Sequence, residues 1–204
     1  MALILFLIQV VSISLSGVLA PGPITAVTVA AGARNRWAGP LMALGHGIVE
    51  FPLMGVIVMG AGRFLETATA RFWIGAIGGL FLLFMGGQML WSLRSQATSD
   101  PVQLRRGPLV AGIVLTGGNP YFLVWWATVG LALATRARDL GIWAFVLFAL
   151  CHWLCDLVWL TILSFASFQG TRWFGPRVQR VIVSICGAAL LLFGLWFLID
   201  AAQR

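Results

Sequence analysis

The chain has 204 residues, 60% of them hydrophobic and 9% charged, with a mean hydropathy of +0.98. A soluble domain carries about 25% charged residues, so this composition excludes a water-soluble enzyme and describes an integral membrane protein. The formal charge of +7 comes entirely from arginines placed between apolar runs, which reads as topology signals and headgroup anchors rather than a nucleic-acid surface.

In chain order, the first apolar run covers 2–33 and is interrupted by Pro21-Gly22-Pro23. It lacks the basic start of a signal peptide and resumes after the prolines, so it is a membrane segment. Prolines remove backbone donors and clash with the preceding turn. A straight helix over this run would measure roughly 48 Å against a hydrocarbon core of about 30 Å, which places the break at membrane depth. A basic loop with Arg34 and Arg36 follows. Segment two, 40–61, carries His46 and Glu50; segment three, 72–93, carries Gln88. The stretch 95–107 is the longest polar one. Segment four, 108–135, is broken at Gly117-Gly118-Asn119-Pro120, segment five, 141–166, carries His152 and Asp156, a basic loop covers 169–180, and segment six is 181–199.

The halves echo each other. Each opens with a broken helix, continues with an acid-bearing helix and closes with a glycine-punctuated one. Residues 1–94 and 108–204 are therefore expected to be two three-helix repeats joined by 95–107. Three spans per half is an odd number, so the second half enters the membrane inverted, as in many secondary transporters. The expected class is an all-α membrane protein of six transmembrane helices. Arg34, Arg36, Arg94, Arg105, Arg106, Arg172, Arg177 and Arg180 fall on one side, and Arg63, Arg71, Arg136, Arg138 and Arg204 on the other. The positive-inside rule then places both termini outside the cytoplasm.

Two features carry chemistry. His46 with Glu50, and His152 with Asp156, stand at i, i+4 on one helix face each. Ionisable groups inside spans are costly and mark ion or substrate paths; burial disfavours a charged carboxyl, which suits these acids to carry protons or to pair with a cationic group. The bland alternative is a static hydrogen bond in each pair. The breaks are the second feature: half-helices beginning at Ile24 and Tyr121 would point free N–H groups at an anion such as a carboxylate. Gln88 and Thr116 are weaker candidates for lining a polar path. His46, Glu50, His152 and Asp156 could also converge on a metal. Cys151 and Cys155 sit about 100° around the helix from that pair and read as small core residues, and three cysteines without framework spacing exclude a disulfide scaffold.

Pro21-Gly22-Pro23 after the first apolar run, the glycine-rich Gly45–Glu50 element, Asn119-Pro120, and Asp156 in a fifth apolar segment together resemble the LysE/RhtB family of amino-acid exporters. The resemblance covers essentially the whole chain. It implies a transporter rather than an enzyme, exporting amino acids or related small metabolites across the cell membrane, driven by the proton gradient. It implies no cofactor. The expected partners are a small-molecule substrate and the lipid bilayer, with a homodimer as an open option and no nucleic acid. Tyr121-Phe122 after Asn-Pro and the two histidines depart from the commonest family pattern. The wider superfamily includes divalent-metal exporters, so metal export by the His46/Glu50/His152/Asp156 cluster is the alternative.

Overall fold

A computed structural model describes residues 1–20, 22–61, 67–94 and 107–203, with side chains left undescribed at 61, 71, 89, 92, 94, 171–179, 182, 183 and 186. Pro21, nearly all of the loop at 95–107 and the Cys186 side chain therefore lie outside the described residues. Every regular element among the described residues is helical.

Helix α1 (Ala2–Val18) and α2 (Pro23–Gly32) form one bent unit with a 77° break. Gly22 is the N-cap of α2 and Pro23 its first residue, where the missing N–H is no loss. Helix α3 (Ala38–Val56) carries Pro52 and runs into a π-helical turn, Ile57–Ala61, that ends at a kink where Gly60 takes φ +108°. Helix α4 is Ala68–Arg94. The second bent unit joins α5 (Pro108–Gly117) to α6 (Pro120–Trp125), a π-helical turn (Trp126–Gly130) and α7 (Leu131–Asp139), with a 58° break at the expected Gly-Asn-Pro position.

The last helical run, α8 (Ile142–Ala202), differs from expectation: helical backbone continues through 169–180, where the sequence predicts a loop. A straight helix of 61 residues would be about 92 Å long. It would also hold Asp156 and Leu190, 34 residues apart (190 − 156), about 51 Å from each other, yet both line the same cavity. The run therefore folds back between them into two limbs. The early limb packs antiparallel to α3, with Gly39 against Leu160 and Gly47 against Trp153. The late limb packs antiparallel to α4: a methyl on Gly79 would come within 2.9 Å of Gly194 O, and one on Gly86 within 2.8 Å of Gly187 O.

Among the described residues three helices are long and apolar enough to cross a membrane, or up to five when each bent pair counts as one span; Gly187–Ala202 is a shorter apolar helix. Their outer faces expose Ile8, Ile48, Trp73, Phe84, Leu154, Val158 and Trp196, while Ser14, Glu50, Thr116, Asp156 and both histidines are buried. Apolar outside and polar inside is the arrangement that lipid selects. One buried cluster gathers Ala26, Met42, Leu82, Leu115, Leu160 and Leu190, another Phe6, Met54, Trp126 and Phe148. The candidate site lies where they meet, with Leu82 and Leu190 from the first and Trp126 from the second on its wall.

Candidate functional site

Helices α3 and α5 approach until their backbones touch. Gly45 faces Leu109 O and Gly112 faces Met42 O, leaving no room for a Cβ on either glycine. This close approach sets His46 one residue from Gly45 against Thr116, one turn beyond Gly112. From α3, His46 and Glu50 point inward; from the early limb of α8, His152 and Asp156 meet them. All four are at most 8% exposed, and Glu50 is fully buried.

Glu50 is the centre. Its Oε1 is 3.0 Å from His46 Nε2, 3.1 Å from His152 Nε2 and 3.3 Å from Trp126 Nε1, which donates to it. The two pairs expected from the sequence are thus unequal. His46 engages Glu50 as anticipated, but His152 turns to Glu50 and stands 3.9 Å from its own i+4 partner Asp156. Asp156 Oδ2 is also 3.8 Å from His46 Nε2 and makes no hydrogen bond; Glu50 Oε2 is likewise unpartnered.

The outer nitrogens are held crosswise. His46, in the first half, bonds through Nδ1 to Thr116 Oγ1 of the second half at 2.9 Å. His152, in the second half, bonds through Nδ1 to Ser14 Oγ of the first half at 2.7 Å. Both hydroxyls come from the first arm of a broken helix. Neither Ser14 nor Trp126 stands out in the sequence. Thr116, expected to line a path, instead orients a ring.

The Thr116 bond has a consequence for protons. Its hydroxyl donates to Gly112 O at 2.6 Å, so toward His46 it accepts, and His46 Nδ1 carries hydrogen. A neutral imidazole has a single N–H. Nε2 would then face Glu50 Oε1 at 3.0 Å as one acceptor against another. The contact requires one further proton, on the ring or on the carboxyl. The His46–Glu50 pair therefore holds a shared proton, and as a unit is neutral. Ser14 imposes no such choice on His152, because its hydroxyl is free to donate or accept.

Aromatic rings wall the cluster. Trp125 stacks on His152 at 4.9 Å and 20°, Trp126 meets the same ring edge-on at 5.2 Å, and Phe122 meets His46 edge-on at 5.3 Å. Beside them opens a cavity of about 90 Å³, counted over positions open to the centre of a water molecule. This is room for several waters or a small solute. Gly22, Pro23, Asn119, Tyr121 and all four ionisable residues line it, so both helix breaks open on the acid–imidazole cluster. The breaks differ, however. The Tyr121 N–H is taken by Asn119 Oδ1 at 3.1 Å, so the second break caps itself. Gly22 offers no side-chain cap to α2, whose first residues Pro23, Ile24 and Thr25 line the cavity.

Gln88 is half-buried and does not line the cavity. Cys151 and Cys155 do not line it either; Cys155 Sγ bonds to Cys151 O within α8, and Cys151 packs against the core. Among the described residues, His46, Glu50 and Asp156 bring ligand atoms within 4.8 Å of one another; His152 is outside that group.

No curated protein and no solved structure matches the chain. The family model described as LysE type translocator matches residues 15–201, which takes in both helix breaks, the whole acid–imidazole cluster and all but the last residue of α8. The chain, helical in every regular element of its described residues and apolar on its outer faces around a buried acid–imidazole cluster, belongs by that match to the LysE type translocator family of membrane transporters.

Proposed function

We propose that the protein exports amino acids or related small metabolites across the cell membrane in exchange for protons, with the cavity between the two breaks as its transport site. The observation that carries the reading is the convergence of His46–Glu50 and His152–Asp156, from opposite halves, on one cavity. An inverted repeat of six spans, with the late limb of α8 as the sixth, accounts for the pairing of equivalents: His46 with His152 and Glu50 with Asp156. The crosswise Ser14 and Thr116 bonds tie each half to the other's histidine, so rocking of the halves and proton movement act on the same contacts. Both termini lie outside the cytoplasm in this arrangement.

Asp156 binds the substrate ammonium, and the uncapped start of α2 takes the carboxylate. Coupling follows from charge. The His46–Glu50 unit is neutral with its shared proton and carries one negative charge without it, so a cation bound by Asp156 roughly 5 Å away is favoured by about 3 kcal/mol when the proton has left, at an effective dielectric constant near 20. Substrate and proton therefore exclude each other, which is the requirement for exchange. In proteoliposomes, efflux driven by an imposed pH gradient is expected to vanish in Glu50→Gln and Asp156→Asn while both variants remain folded. Full gradient-driven transport by both would remove the acids from the mechanism.

A second reading has one observation in its favour. His46 Nε2, left with a lone pair by the Thr116 bond when the shared proton departs, and the two carboxylates form a nitrogen–oxygen set suited to a divalent cation as cargo. Under that reading a divalent ion, and no amino acid, raises the thermal stability of the purified protein, and His46→Ala abolishes the effect.

A further inference from the structure

We infer that the site selects a solute with a single cationic group and an uncharged, largely apolar side chain: among amino acids, those with aliphatic or aromatic side chains, to the exclusion of basic and acidic ones. The inference rests on the cavity being the transport site, and it concerns what that site accepts.

Charge gives the first argument. Glu50 Oε1 already stands among His46 Nε2, His152 Nε2 and Trp126 Nε1. Asp156 is the carboxylate left over: buried, 8% exposed, with an Oδ2 atom that no donor reaches. An unmade hydrogen bond on a buried carboxylate is costly, and an ammonium entering the cavity would make it. Glu50 Oε2 is unpartnered too, but Glu50 sits in the same cluster as Asp156, and no other carboxylate is among the described lining residues to meet a second cation carried out along a basic side chain. An acidic side chain would need a cation, and no arginine is among the described residues that line the cavity.

The walls give the second argument. Away from the cluster the lining is Val18, Ile24, Leu82, Tyr121, Leu190 and Phe193. These surfaces gain by covering an apolar body and would strip water from a charged one without replacing it. Thr25 and Asn119 add polarity beside the breaks, and Asn119 Oδ1 is already committed to the Tyr121 amide.

The test is a thermal-unfolding panel on the full chain in detergent with leucine, phenylalanine, lysine and glutamate at equal millimolar concentrations, repeated on Asp156→Asn and Asp156→Glu. Leucine and phenylalanine are expected to raise the midpoint of the wild type; lysine and glutamate are not. The gain should disappear in Asp156→Asn and return in part in Asp156→Glu. The wild-type comparison needs no variant, so a poorly folded Asp156→Asn leaves the inference exposed. A shift with lysine or glutamate as large as that with leucine overturns the inference and leaves the amino-acid site standing. No shift with any of the four overturns the transport reading as well.

Discussion

Replacing Thr116 by valine keeps shape and removes the hydroxyl that dictates how His46 holds its protons. Two outcomes compete inside the variant. Either His46 Nδ1–H stays and is buried without an acceptor, or the ring changes tautomer, donates through Nε2 to Glu50, and leaves Nδ1 as an unmet acceptor. Hydrogen bonds between helices in a bundle contribute on average about 0.6 kcal/mol, but a buried polar atom left unpaired costs about 1–3 kcal/mol. Because His46 is 6% exposed and enclosed by Phe122 and the helix α5 backbone, water cannot take the hydroxyl's place easily, and the larger figure governs. The ring change relieves nothing at Nδ1 but makes the shared proton unnecessary, since a neutral His46 can then donate to an ionised Glu50. Thr116→Val should therefore lose about 1–3 kcal/mol of stability and uncouple solute movement from the pH gradient. Thr116→Ser, which retains donor and acceptor, should restore both. The assays are thermal unfolding in detergent and solute flux in proteoliposomes across a series of imposed pH gradients. A valine variant with wild-type stability and wild-type gradient dependence would refute the hydrogen-bond reasoning.

Other substitutions separate structural from coupling roles. Ser14→Ala leaves His152 Nδ1 unpartnered without dictating a tautomer, so it should cost about 1 kcal/mol in thermal unfolding while the dependence of flux on pH gradient stays as in the wild type. Gly112→Ala drives a methyl into Met42 O of the adjoining helix; overpacking of this kind costs about 1–3 kcal/mol, and the loss of folded protein should be visible by size-exclusion chromatography. Cys151→Ala with Cys155→Ala should leave transport unchanged, because both thiols lie off the cavity; loss of transport in that variant would bring thiol chemistry back into consideration.

The legible parts of the fold were those with strong local punctuation. Gly22-Pro23 and Asn119-Pro120 each start a new helix from an extended residue, and the two bends fall there, at 77° and 58°, whereas Pro52 stays inside α3. His46, Glu50, His152 and Asp156 stood out because charge in an apolar run has no cheap bland explanation. Ser14 had one. Its neighbours Ser12 and Ser16 bond to their own helix, at Ile8 O and Ile13 O, which is how most serines in such helices satisfy themselves. Nothing local marks Ser14 as the one that reaches across. Trp126 was hidden in the same way among ten tryptophans, a residue type enriched at membrane interfaces. The transfer of His152 from Asp156 to Glu50 is tertiary: i, i+4 spacing makes a bond available, but the approach of α3 offers a nearer acceptor. The expected loop at 169–180 failed because a basic composition signals an interface without saying whether the backbone stays helical while it turns.

The central claim is that bound solute and the shared proton exclude one another. Its direct measurement is proton release on binding: the purified protein in weak buffer is mixed with leucine while pH is recorded, for the wild type, Glu50→Gln and Asp156→Asn. The wild type should release protons in proportion to leucine bound, Glu50→Gln should bind without releasing any, and Asp156→Asn should do neither. Binding by the wild type with no proton released, or undiminished release by Glu50→Gln, would contradict it.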